Sequence, residues 1–424
     1  MSDPTANLQQ TVPPAKSQSS IFNLRFLLVI VVINIVLIGG LAAFNASTLV
    51  PARGLRFDFY PHWVGGRAVW SGQTPYTHEI TRQIQMGMFG EELPPDADQQ
   101  NLAYPAYTSI IMGPVIAFPA PTAIALWMAI GLASVIWTPI VWMAILNWRP
   151  APLVLFALLL GLTFGFHYPI DMLVLAQFSG TVLLATSLGV WLLTLKRDIA
   201  AGIIFVLATV PPTVGGTLAL GILAAFALRG RWRGLAAFIV TLGLIVLVSI
   251  LRIGWWIPDW LRVVREYAAY APPAWPPNFL PLPLRVLFVA AIIGFALWTL
   301  FRFLRPSNTL PVASAPQSSV LISRPSIDLV IAAILTALLL IPQTGYYYLV
   351  LLIPVIVACL ERARGLPRPE RRWVWLSCIL AIASPWLYFS LPNFNPDTQS
   401  LILPLHVGLT WMAINWRLDV REKS

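Results

Sequence analysis

Apolar runs of roughly 17 to 25 residues recur from about residue 21 to residue 416, and they decide what this chain can fold into. Each is long enough to cross a hydrocarbon core, where a backbone must satisfy its own hydrogen bonds. None alternates with the period of two that a barrel strand needs, so the runs are read as helices. Composition agrees, with 58% hydrophobic residues against 10% charged and a mean hydropathy of +0.76. The fold class expected is therefore all-α: a polytopic integral membrane bundle of about 10–12 transmembrane helices with outer interfacial helices.

A net charge of +10 could suggest nucleic acid, but the basic residues sit at the ends of apolar runs, so they are read as a topology signal and no nucleic-acid partner is expected. Cys359 and Cys378 both fall inside apolar runs and cannot build a disulfide framework or a metal cluster. No HExxH, CxxC, Walker loop or GxGxxG occurs, which leaves the soluble nucleotide-using enzyme classes without support.

Taken in order, residues 1–20 read as a disordered cytoplasmic tail and 21–304 as an amino-terminal transmembrane module that includes outer loops 45–103 and 255–282. Residues 305–324 read as a cytoplasmic linker, 325–416 as a carboxy-terminal transmembrane module and 417–424 as a cytoplasmic tail. In the first loop, Phe59, Trp63 and Trp70 superimpose on one helical face with Arg67 pointing elsewhere, while Glu79 to Gln100 looks like a polar surface loop. In the second, Leu261, Val264 and Ala268 form the apolar side of a short helix, opposite Arg262, Arg265 and Glu266. The prolines at 211 and 212 split one apolar stretch into two half-helices.

Placing both loops outside the cytoplasm leaves eight basic residues outside (Arg53, Arg56, Arg67, Arg82, Arg252, Arg262, Arg265 and Arg285) and the other nineteen of 27 inside. Both termini are then cytoplasmic, in a multi-pass protein of the cell membrane whose partners include membrane lipids. Residues 104–146 must cross an odd number of times, yet they contain two apolar segments, so one of the two is re-entrant or the charge rule fails at a loop.

Asp58 is the residue on which a reaction would turn. A carboxylate at a membrane boundary can act as general base toward a hydroxyl, while an aspartate just ahead of Pro61 also has the form of a helix N-cap. His62 lies one turn on. His167 and Asp171, in a HYPID segment between two apolar runs, give an alternative base in Asp171, which could equally cap a helix starting at Met172. Arg67, Arg262, Arg265, Arg285 and His167 are candidate ligands for an anionic group, each also plausible as an interfacial anchor. No metal ligands can be assigned; a divalent metal remains compatible with the sequence but is not required by it.

The loop pattern formed by Asp58, Phe59, Gly66, Arg67, Ala68, Gly72, Pro75 and Tyr76 resembles the first outer loop of glycosyltransferase family 87, the polyprenol-phosphate-mannose-dependent mannosyltransferases of the GT-C superfamily. Tyr104-Pro105, Gln177 with Gly180, and Tyr346 to Leu352 resemble later segments of that family. The family often has Lys-Pro where this chain has Val210-Pro211, and a glycine where this chain has Ala176. The resemblance implies a GT-C-type bundle that moves a sugar, mannose by family, from a polyprenyl-phosphate donor to a lipid or glycan acceptor with inversion. It implies Asp58 as base; a departing phosphate would then need cations, for which Arg67, His167, Arg262, Arg265 and Arg285 are the candidates, with Gln177 also at the donor and His62, Tyr76, Tyr104 and Tyr346 on the acceptor side or shaping the loop. A transporter or lipid flippase is the rival reading. Such folds show related halves with matching broken helices, and the Pro211-Pro212 break has no evident mate.

Overall fold

The computed structural model describes residues 24–270, 275–305, 324–342, 345–391 and 398–423. The 1–20 tail and nearly all of the 305–324 linker lie outside the described residues. Among those described, every regular element is a helix. Six are long and apolar enough to cross a membrane: Val31–Arg53, Ala120–Ile145, Arg233–Ile253, Leu282–Leu304, Tyr346–Gly365 and Arg368–Ser390. A seventh arises if Pro152–Gly165 and His167–Leu175, bent by 52° at their junction, form one broken span. Of the other segments among the expected ten to twelve, Ser179–Thr194, Asp198–Thr209 and Pro212–Leu228 are shorter apolar helices, while Gln399–Lys423 is 25 residues long but less apolar.

The six sort into inner and outer helices. Ala120–Ile145 and Tyr346–Gly365 have most of their apolar window buried within the protein, whereas Val31–Arg53 and Leu282–Leu304 have almost none. Leu287, Leu297 and Phe301 on the outer helix Leu282–Leu304 are exposed, which costs nothing where the surroundings are lipid tails. The inner helix Ala120–Ile145 packs against both the first helix and Ser179–Thr194. Gly180 permits that approach, since a Cβ there would lie 3.0 Å from the Gly131 Cα.

The parity question raised by residues 104–146 has a simple answer. Tyr104 to Pro119 forms no span but two single turns, Thr108–Ile111 and Gly113–Ile116, so only Ala120–Ile145 is a candidate crossing there.

Broken helices leave backbone carbonyls without partners, a serious cost away from water. Here side chains supply the donors. Tyr107 Oη donates to Thr209 O (2.7 Å) at the Pro211 break, Trp386 Nε1 to Gly165 O (2.7 Å) at the bent pair, and Trp275 Nε1 to Leu340 O (2.8 Å).

Outside the spans, Glu79 to Gln100 is more ordered than its polarity suggests. His78–Phe89 is a helix, capped by Thr77 and ended by Gly90 in the left-handed region. Its Ile80, Ile84 and Met88, spaced by four, are buried against Phe59–Trp70 and its neighbours. Within Phe59–Trp70, Gly65 and Gly66 admit Leu102 and Ile116, whose side chains a Cβ would strike at 2.6 and 2.4 Å. Phe59 is fully buried and Trp70 is exposed, while Arg67 lies over the Trp63 ring at 5.5 Å, on the tryptophan side and not away from it. In Ile257–Tyr270 the inward side is Trp260, Val263, Val264 and Tyr267, and Leu261, expected on the apolar side, is exposed.

Candidate functional site

Asp58 stands one residue before the helix Phe59–Trp70, at the N-cap position, but its side chain makes no capping hydrogen bond. The carboxylate instead accepts a hydrogen bond from Gln177 Nε2. The loop that carries it is tied to the carboxy end of His167–Leu175. Asp58 N donates to Leu175 O (3.0 Å) and Arg53 Nη1 to Val174 O (2.6 Å). Two of that helix's orphan carbonyls are thereby satisfied, one by a cation placed at the negative end of the helix dipole.

Gln177 is positioned by how the same helix stops. Ala176 adopts φ +54°, Gln177 N donates to Met172 O (2.8 Å) and Ala176 N to Leu173 O (3.0 Å). This is a Schellman motif with Ala176 in its left-handed position, where glycine carries no steric penalty. The glycine that the resembled family has there is thus explained by geometry. The motif turns the chain by one residue, so Gln177 projects to Asp58 while Phe178 opens the next helix.

Both residues face a cavity of about 330 Å³, near the small end of the range for ligand sites. Its wall comes from six parts of the chain: Asp58 and His62 of the first loop, Asp98 to Tyr104, Gln177 and Phe178, Pro211 to Thr213, Trp260 with Tyr267, and Tyr347 with Tyr348. The proline break therefore contributes directly to the cavity.

Electrostatics follow from that enclosure. Burial pushes the Asp58 carboxyl up to about 6, with the Arg53 charge and the Gln177 hydrogen bond pulling down and the Asp98 charge pushing up. Burial holds the His62 imidazole down at about 3, so it is neutral at pH 7. Its ring packs 4.3 Å from both Tyr104 and Phe178, and its Nδ1 is buried with no partner. Tyr267 is pushed up to about 12 by burial and by the two aspartates. The arrangement suits proton abstraction from a hydroxyl: a carboxylate that is mostly ionised at neutral pH yet basic enough to accept a proton, beside neutral hydrogen-bonding groups.

The expected residues divide into separate places. Asp58, His62, Tyr104 and Gln177 meet at the cavity. Tyr76 supports it from behind, donating to Tyr104 O (2.9 Å). His167, Asp171 and Tyr346 belong to a second cluster at the opposite end of His167–Leu175, about 12 Å away along a nine-residue helix. There His167 Nδ1 lies 2.6 Å from Asp171 Oδ2 and its ring stacks on Phe389 at 3.9 Å, while Tyr346 packs on Phe389 at 5.2 Å. Asp171 lies inside its helix and caps nothing. None of the four arginines expected at an anion lines the cavity. Arg67 borders a separate shallow groove with Trp70, and Arg262 bonds to Tyr76 O (3.0 Å) and Glu266 (3.2 Å). Arg265 is exposed beyond the cavity wall, and Arg285 reaches Leu280 O (3.2 Å) at the start of its own helix.

Arg53, Asp98, Phe178, Tyr267, Tyr347 and Tyr348 were not singled out from the sequence. Their signals were weak: Asp98 sits in a tract that reads as solvated surface, and Tyr347 and Tyr348 are adjacent to the tyrosine chosen. No three histidine, cysteine or carboxylate side chains gather into a metal site among the described residues, and one Asp58 oxygen is engaged by Gln177. No step is derived through a metal.

Residues 102–270 match the family model of glycosyltransferase family 87, the family that the first-loop pattern resembles. The match indicates a glycosyltransferase, and it contains Tyr104, Gln177, the proline break and Trp260 but begins after Asp58, His62 and Asp98. No curated protein and no solved structure matches the chain.

Proposed function

We propose that this membrane glycosyltransferase moves a hexose, mannose by its family likeness, from a polyprenyl-phosphate carrier to a lipid or glycan acceptor on the extracytoplasmic side. The observation that carries the reading is the position of Asp58: at a helix start but not capping it, half-buried beside Gln177, and open to a cavity to which the family-matched region contributes about half of the wall.

In the proposed step the acceptor oxygen attacks the anomeric carbon as Asp58 takes its proton. The bond from that carbon to the carrier phosphate breaks, and the phosphate leaves with the electron pair. One displacement inverts the anomeric configuration. His62, held neutral by burial, lines the cavity beside Asp58. The aromatic wall offers faces for the apolar side of a sugar ring. Arg67, Arg262, Arg265 and Arg285 lie off the cavity, so in this reading none of them holds the phosphate bonded to the reacting carbon.

The basic-residue bias supports an orientation with both termini in the cytoplasm and the cavity outside, in the cell membrane. The bent pair Pro152–Gly165 and His167–Leu175 is a feature that a transporter would share. The two readings separate in membranes supplied with radiolabelled carrier-linked mannose. A transferase yields a new glycoside that disappears with Asp58→Asn; solute uptake into proteoliposomes without any new glycoside would instead establish a transporter.

A further inference from the structure

The helix Phe59–Trp70 borders a second concave surface at its far end. A groove of about 750 Å³ lies between it and the turns Thr108–Ile111 and Gly113–Ile116, with Arg67, Trp70 and Ser71 on one side and Ile110, Pro114 and Ala117 on the other. Hydrogen bonds fix its walls. Trp70 Nε1 donates to Ser109 O (3.0 Å) and Trp63 Nε1 to Phe118 O (2.9 Å), which ties both indoles to the facing chain. Gly113 permits that approach, since a Cβ there would lie 2.7 Å from the Trp70 ring.

The charge at the groove has one sign. Arg67 is exposed and rests over the Trp63 ring, and no protein group among the described residues accepts a hydrogen bond from it. Arg252, also exposed, lies over the Trp70 ring at 5.0 Å and donates to Trp70 O (3.2 Å). Among the described residues no carboxylate lines the groove. A guanidinium held over an indole keeps N–H groups free for a planar, bidentate oxyanion. Arg233–Ile253, which carries Arg252, packs against Phe59–Trp70 and Thr108–Ile111 and exposes Leu244, Leu247 and Leu251. Apolar surface therefore continues from the arginine-bearing end of that helix toward its middle. Two cations beside an apolar groove, at the end of a spanning helix, match a ligand with an anionic head and aliphatic tails.

We propose that this groove binds an anionic phospholipid, with its phosphate on Arg67 and Arg252 and one acyl chain along Ile110, Pro114 and Ala117. The proposal takes only the outer leaflet from the function proposed above and needs no reaction in the cavity. The ligand is not the sugar carrier. A carrier phosphate is bonded to the reacting carbon and must sit in the cavity with Asp58, whereas Arg67 is nine residues further along the helix, about 14 Å away. A zwitterionic headgroup is disfavoured, because its ammonium group would lie near two cations with no carboxylate at the groove to meet it.

The test uses the full-length protein in phosphatidylcholine nanodiscs containing a phosphatidylglycerol with a photoactivatable diazirine on one acyl chain, and maps the labelled peptides by mass spectrometry. Label is expected on residues 108–118, and the same diazirine on phosphatidylcholine should label that segment at least about fivefold less. Arg67→Gln and Arg252→Gln should each cut the phosphatidylglycerol label there about fivefold, while Arg67→Lys, which keeps the charge, should retain most of it. Ala117→Phe, a change at an exposed position that fills the groove and leaves both arginines, should remove the label. Equal labelling by the two lipids, label that survives Arg67→Gln or Ala117→Phe, or none on residues 108–118 overturns the proposal. Displacement of the label by an equal amount of polyprenyl phosphate would give the groove to the carrier and overturns it too. None of these readouts involves sugar transfer, so a protein that holds phosphatidylglycerol here but transfers no sugar keeps this site and refutes the transferase.

Discussion

Asp58 carries the account at the scale of single residues. Its carboxyl titrates near 6 in the folded chain against 3.8 when exposed, so the folded state holds this proton more tightly than the unfolded chain. That stabilising contribution is complete below about pH 4 and is lost as pH rises through 6, leaving an ionised, half-buried group that opposes folding at neutral pH. Asp58→Asn should therefore lower transfer by about 10²- to 10⁴-fold, the usual contribution of a general base, without lowering the thermal midpoint at pH 7.5. A marked drop in that midpoint would show that the carboxylate is structural. Gln177→Leu removes the hydrogen bond that favours the ionised form, so the acid limb of a rate profile should move to higher pH. The sequence made Asp58 legible because its pattern of neighbours is specific; Asp98 was hidden because an aspartate in a polar, acidic tract looks like any solvated loop.

Elements explain how those residues come to meet. The end of His167–Leu175 fixes both Asp58, through Leu175 O, and Gln177, through the left-handed Ala176. An alanine at φ +54° carries a steric cost of about 1 kcal/mol, so Ala176→Gly should raise stability by about that amount in thermal unfolding of the micellar protein. No gain would mean that the Schellman turn is not strained. The half-helices around Pro211 were legible because proline removes a backbone donor wherever it stands. The helix His78–Phe89 was not, since its buried face is only three apolar residues among charged ones. Burial against a neighbouring helix, which no local pattern reports, decides its structure.

For the whole molecule, hydropathy revealed the membrane class but not which helices lie inside, because inner and outer spans are equally apolar. The interior is instead marked by a buried ion pair. Arg362 and Asp328, 2.9 Å apart with side chains 8% and 7% exposed, join Arg324–Leu340 to Tyr346–Gly365, and Arg362 also lies over the Trp411 ring at 4.1 Å. Removing one partner leaves a buried charge alone, so Arg362→Ala should cost about 3–5 kcal/mol. The double change Arg362→Met with Asp328→Leu should recover much of that loss in the same unfolding measurement.

The most direct test of the central claim is the pH dependence of kcat/KM for mannosyl transfer by the full-length protein in proteoliposomes, from polyprenyl-phosphate mannose to extracted membrane acceptor. With Asp58 as base, the wild-type rate should climb as pH rises through about 6 and then level, and the Asp58→Asn protein should show only residual, pH-independent transfer. Full activity in that variant, or a wild-type rate that is flat from pH 5 to 8, would contradict the assignment of Asp58 and with it the reaction built around it.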